Sequence, residues 1–255
     1  MRRLPTFIVS AALTLTSPAL AEDKATVVLV HGAFAGSSSW SAVIRDLDRN
    51  GFRTIAAANP LRSVAGDAAS VAALVASIQG PVILVGHSYG GAVITEAANR
   101  SDRIKALVYV AAFAPEAGES SASLSRLYPG TTLDSALRPV ALRDGTRELL
   151  IQADKFHDQF AADVPEAIAV LMAATQRPIA EAALAETSGK ASWKTIPSYA
   201  IYGSADRNIP PAAMQFMAER AQAVKTVVVN GASHAVMVTH PREVAALIKE
   251  AASGR

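Results

Sequence analysis

The 255-residue chain contains no cysteine, which excludes disulfides and cysteine-ligated metal alike. No cluster of histidines or carboxylates shows ligand spacing either, so the sequence calls for no metal and no cofactor. Aromatic residues are scarce, at 5%, although 51% of the chain is hydrophobic. The expected core is therefore aliphatic and alanine-rich, as parallel strands covered by helices on both faces require. Excess charge of either sign is also missing, with 24 Lys and Arg against 22 Asp and Glu and no acidic or basic run. Internal repeats and long linkers are absent, so residues 22–255 read as one domain.

The amino terminus stands apart from that domain. Met1-Arg2-Arg3 is a basic start, Phe7 to Leu20 is mostly apolar, and Ala19-Leu20-Ala21 is an A-x-A cleavage signal. Residues 1–21 are expected to be a secretory signal peptide, with the mature protein exported, periplasmic or secreted. The apolar stretch is shorter than the ~20 residues a spanning helix needs and is broken by Ser17-Pro18, so no stable membrane anchor is expected after cleavage. Cleavage removes Arg2 and Arg3 and leaves 22 basic and 22 acidic residues. A formally neutral protein offers no electrostatic footprint for nucleic acid.

What is present is a set of segments in a telling order. Gly86-His87-Ser88-Tyr89-Gly90-Gly91 lies between the apolar run Val82 to Val85 and a helix-like stretch from Ala92 to Arg100. A strand, a G-x-S-x-G turn and a helix make a nucleophile elbow, with the Ser88 hydroxyl lifted clear of the sheet edge. Such a serine needs a general base and a carboxylate to orient it. Asp206 follows the strand-like Ser198 to Tyr202, and His234 follows the β-branched run Thr226 to Val229, 28 positions later. That distance holds one helix and one strand, so both residues are expected at the same sheet edge as Ser88.

Competing roles exist for each. Asp206 could be a turn or cap residue before Ile209-Pro210, with Glu116 or Glu119 supplying the acid. His31, His87, His157 and His240 compete with His234, although His87 flanks the serine and should point away from its hydroxyl. Acyl transfer also needs donors for a developing oxyanion. One is expected from the Tyr89 amide, the other from the loop after Val27 to Val30, through Ala33 or alternatively Phe34.

HGAFAGSSSW (His31 to Trp40), GHSYGG (Gly86 to Gly91), YGSADRNIP (Tyr202 to Pro210) and GASHAVMVTHP (Gly231 to Pro241) together resemble the α/β-hydrolase superfamily from Thr26 to Ile248. The nearest resemblance is to its small esterase and hydroxynitrile-lyase group, which includes plant methyl-ester hydrolases. The resemblance implies Ser88, Asp206 and His234 as a triad and Ala33 and Tyr89 as oxyanion donors. The lyases of that group carry a lysine after the catalytic histidine and a hydroxylated residue in the first loop. Here those positions are Ala235 and Gly32, which favours ester hydrolysis. Dehalogenases and epoxide hydrolases of the superfamily use aspartate at the elbow, so Ser88 argues against both.

Six strands are expected near 26–31, 53–58, 82–87, 105–113, 198–203 and 225–230, with helices near 39–50, 67–79, 89–100, 211–223 and 241–252. The alternation predicts an α/β fold with a mostly parallel six-stranded sheet. Between about 114 and 197 the rhythm breaks, and this insertion is the expected helical cap, with short helices over Leu142 to Ala153 and Pro165 to Thr175. Leu124, Phe156, Phe160, Leu171 and Met172 are candidates to line a pocket with Phe34, although core packing explains the same spacings. An aliphatic and aromatic lining favours a small, uncharged, partly hydrophobic ester. Perhydrolysis, or lactone or amide cleavage by the same triad, remains an alternative, as does a non-catalytic protein that keeps the pocket. Oligomeric state is left open.

Overall fold

The structure, a computed structural model, describes residues 24–254. The expected leader, residues 1–21, lies outside the described residues. The strands are β1 (Thr26–Val30), β2 (Thr54–Ala57), β3 (Val82–His87), β4 (Ile104–Val110), β5 (Leu137–Ala141), β6 (Arg147–Ile151), β7 (Ile179–Ala180), β8 (Ser198–Gly203) and β9 (Lys225–Val229). The helices of the first half are α1 (Ser41–Arg49), α2 (Val64–Ala76), α3 (Tyr89–Ala98), α4 (Ser121–Ser125) and α5 (Leu133–Ala136). They are followed by α6 (Ala153–Phe160), α7 (Glu166–Thr175), α8 (Glu181–Ala185), α9 (Pro211–Arg220), α10 (Val236–Thr239) and α11 (Pro241–Ser253).

The main sheet is six-stranded and parallel throughout, in the order β2-β1-β3-β4-β8-β9. β1 and β3 are buried at every residue, which is why Val27–Val30 and Val82–Val85 are continuous Val, Leu and Ile rather than an alternation of apolar and polar residues. α2 packs on α3 and α1 on α11, and both pairs lie against the sheet. The edge strand β9 opens with exposed Lys225 and Thr226, the kind of residue that keeps an edge from pairing further. The chain runs from β1 outward to β2 and then returns to β3 on the other side of β1. The carboxyl ends of β1 and β3 therefore flank a topological switch point, where open α/β sheets bind their ligands.

Two expected bounds shift for local reasons. α2 begins at Val64 rather than 67 because the Ser63 side chain accepts the Gly66 N–H and caps the helix there. β4 ends at Val110 rather than 113 because Ala111 has a φ of 44°, which an extended strand cannot hold.

The insertion differs from the expected helical cap. Leu142 to Ala153 is not a helix: β5 and β6 form an antiparallel hairpin, extended by β7 into a second, three-stranded sheet. Asp144-Gly145 makes the turn, with Gly145 at a φ of 83° and the Asp144 carboxylate accepting from Thr146 N–H at 3.0 Å. The period of two, with Leu149 and Ile151 buried and Glu148 and Leu150 only half-buried, outweighs the apolar spacing that also suits a helix. Pro165 to Thr175 behaves as expected and contains α7.

Candidate active site

Ser88 stands between the last residue of β3 and the first of α3, with φ 54° and ψ −124°. That backbone is costly for any residue but glycine and persists only where neighbours enforce it. Here the Ser88 N–H donates to Val110 O at 3.3 Å, and its carbonyl accepts from Gly91 N at 2.9 Å and Phe113 N at 3.2 Å. Close approach on both sides of the turn requires glycine. A Cβ on Gly86 would lie 2.5 Å from Gly90 O, and one on Gly90 would lie 2.5 Å from Val30 O. The neighbouring loop is equally tight, since a Cβ on Gly32 would meet the Ser88 Cβ at 2.6 Å.

Asp206 and His234 lie beyond the carboxyl ends of β8 and β9, and both are buried. His234 Nδ1–H donates to Asp206 Oδ2 at 2.6 Å. This contact fixes the tautomer, because the carboxylate can only accept. Nε2 of His234 therefore carries the lone pair, and it is buried with no hydrogen-bond partner among the described residues. The second carboxylate oxygen, Asp206 Oδ1, accepts from Asn208 N at 2.8 Å and Ile209 N at 3.0 Å. The turn role and the histidine-orienting contact, which compete in the sequence, are thus divided between two oxygens of one carboxylate.

The other candidates are engaged elsewhere. Glu116 pairs with Lys194 and Glu119 with Arg220, each at 2.7 Å. His157 Nε2 donates to Val164 O at 2.8 Å, and His240 lies beside Thr239 and Asp163. His31 Nδ1 donates to Gly32 O at 2.9 Å, and burial pushes this imidazole down to about 4. His87 does point away from the serine hydroxyl: its Nε2 donates to the main-chain oxygen of His234 at 3.1 Å. Its ring lies 4.7 Å from that of His234, and burial holds it well below the ordinary histidine value. Phe160 meets the His234 ring edge-on at 5.0 Å. The His234 ring is therefore wedged between a neutral imidazole and a phenyl ring, a support that residue spacing did not reveal.

Tyr89 opens α3, so its N–H has no carbonyl four residues back within the helix. Its hydroxyl donates to Asp67 Oδ2 at 2.9 Å, a buried link to α2. Burial, then the Asp67 charge, raises the phenol above its ordinary value, and burial raises Asp67. In the first loop Phe34 N–H is already donated to Arg177 O at 3.1 Å. Of the two candidate donors there, this leaves the Ala33 amide available.

Ser88, Tyr89, Ala33 and Phe34 line one cavity of about 980 Å³, whose opposite wall comes from the cap through residues such as Leu137, Leu149 and Leu184. Five expected lining residues are not in it, Leu124 and Phe160 among them, both buried in the core. Phe156 is fully buried and stacks on Phe160 at 5.0 Å. Met172 faces a separate recess with Gly36, Ser38 and Ile168, which Phe34 also borders. Leu171 is 62% exposed. The cause is the hairpin, which covers the site where a helix was expected and leaves α7 to one side.

Residues 27–247 match the family described as "Alpha/beta hydrolase family". A curated relative, the carbendazim hydrolyzing esterase of Nocardioides sp. (strain SG-4G), is 34% identical over 113 residues, covering 39% of this chain and 47% of that protein. The match thus spans about half the length of that relative. Among solved structures, a methylesterase protein from Arabidopsis superposes with a TM-score of 0.76 at 19% identity, over 91% of this chain and 100% of the other. A pyrethroid hydrolase from Sphingobium faniae JZ-2 superposes with a TM-score of 0.71 at 21% identity, over 90% and 97% of the two chains. At these identities the structural likeness is one of fold.

Proposed function

The chain belongs to the alpha/beta hydrolase family, and from that premise we propose that it is a serine hydrolase cleaving uncharged carboxylic esters through an acyl-enzyme. One observation carries the reading. A buried imidazole, His234, is held by a 2.6 Å bond to Asp206 with its Nε2 lone pair free, at the sheet edge where the strained Ser88 opens into the cavity.

In this mechanism Ser88 Oγ attacks the ester carbonyl while His234 Nε2 takes its proton. His234 Nε2 has no hydrogen-bond partner among the described residues of the free protein, and its bond to Ser88 forms as substrate seats, since catalytic contacts often close only in the substrate complex. The amides of Tyr89 and Ala33 receive the oxyanion. His234 passes its proton to the departing alcohol, then activates the water that releases the acid. Asp206 holds the tautomer and stabilises the imidazolium. Relatives described as esterases support an ester substrate. We also propose export of the mature protein, which rests on the leader-like residues 1–21.

Treatment with a fluorophosphonate should label Ser88, read as a mass shift on its peptide. Ser88→Ala should stay folded, resist labelling and lose on the order of 10⁴-fold in ester turnover. An unlabelled Ser88 in folded wild-type protein, or normal turnover by the variant, would remove the serine mechanism.

A further inference from the structure

The cavity at Ser88 is much larger than the small ester suggested by the sequence, and its walls divide by chemistry. At about 980 Å³ it lies at the top of the ~300–1,000 Å³ range of ligand pockets. From the cap, Leu133, Leu137, Leu142, Leu149 and Leu184 all face it, contributed by α5, the β5–β6 hairpin and α8. Leucines lining a solvent-accessible cavity present apolar surface to water, and an apolar occupant would cover it.

The charged residues of the wall already have polar partners. Arg147 makes a bidentate pair with Glu181 at 2.6 and 2.8 Å, joining the hairpin to α8. Arg126 pairs with Asp134 at 3.6 Å, and Arg62 with Glu148. Asp144 accepts from the Thr146 N–H and hydroxyl. No wall guanidinium is left without a carboxylate partner, so the chamber offers no dedicated site for a substrate carboxylate or phosphate.

We propose that the chamber beneath the cap receives a bulky, uncharged, apolar acid or alcohol group of the ester, and that the cap leucines set this preference. The proposal rests on the serine-hydrolase reading and adds the size and polarity of the substrate to it.

The test is a panel of nitrophenyl esters from acetate to decanoate with cyclohexane carboxylate and hemisuccinate, beside acetates of alcohols from ethanol to naphthol. In at least one series kcat/KM should rise about threefold to fourfold per buried methylene until the chamber fills, and hemisuccinate should be a poor substrate. In whichever series rises, Leu184→Trp should lower the ratio of kcat/KM between its bulkiest and smallest members at least about tenfold. Leu137→Trp provides a second reading should the first variant not fold. Ser88-dependent turnover that is flat or falls with size in both series would overturn the proposal while leaving the hydrolase intact, as would an unchanged ratio in folded variants. No turnover of any ester together with no fluorophosphonate labelling would overturn both.

Discussion

Replacing Asp206 by asparagine tests the histidine-orienting contact almost without disturbing shape, and the outcome can be worked from three hydrogen bonds. Asp206 Oδ1 accepts the N–H groups of Asn208 and Ile209, and Oδ2 accepts Nδ1–H of His234. An asparagine has one oxygen and one NH₂ for these two positions. If the oxygen faces His234, the NH₂ opposes two buried backbone donors, and each group left unpaired costs about 1–3 kcal/mol. The turn therefore holds the oxygen, and the NH₂ faces His234 Nδ1. That nitrogen must then accept, which moves the ring proton to Nε2, where the lone pair is needed for Ser88. Wrong-tautomer substitutions of this kind cost about 10⁴-fold in kcat. Steady-state turnover of a nitrophenyl ester by Asp206→Asn, beside its melting curve, is the assay. We expect a folded protein with kcat lowered on that scale. Retention of more than about a tenth of wild-type kcat would refute the argument that Asp206 sets the tautomer of the base.

Other outcomes follow from the same geometry. Gly32→Ala puts a Cβ 2.6 Å from Ser88 Cβ and 2.7 Å from His87 O. It should cost about 1–3 kcal/mol in chemical denaturation, and displacement of the Ala33 amide should lower kcat by about 10²-fold; wild-type values for both would contradict it. Acid should destabilise the fold through its buried histidines. His31 is held at about 4 against an ordinary 6.5, so the unfolded chain binds the extra proton in this window. Its contribution is complete above pH 6.5 and falls as pH drops toward 4, by a loss of order 3 kcal/mol at pH 4. His87 shifts in the same direction. Denaturation at pH 7, 5.5 and 4.5 measures the slope, which His31→Asn should flatten; equal slopes would argue against it. Intact mass of exported protein should begin at Glu22, and a chain retaining residues 1–21 would count against a cleaved leader.

Residues of the main sheet were readable because each strand carries its own signal. Val82 to Val85 and Thr226 to Val229 are β-branched and aliphatic runs closed by turn residues, and parallel order follows from the intervening helices. The cap was less readable because Leu142 to Ala153 satisfies two periods at once. The signal that could have decided it was Asp144-Gly145, a dipeptide that favours a tight hairpin turn. Phe156 and Met172 lie away from the cavity for a related reason: being apolar on a cap helix does not say which side of the helix meets the cavity, and the hairpin takes that place.

Sequence alone determined the order of the elements, the elbow around Ser88 and the presence of an acid and a histidine after later strands, because each depends on neighbours a few positions away. Only the tertiary structure decided that Asp206 Oδ2 rather than a glutamate meets His234, that Phe34 N–H is consumed by Arg177, and that His87 and Phe160 flank the His234 ring. It also decided the size and polarity of the chamber. These depend on distances between segments as much as 147 residues apart, which close only when the sheet is assembled and its buried polar groups choose among partners that local pattern cannot rank.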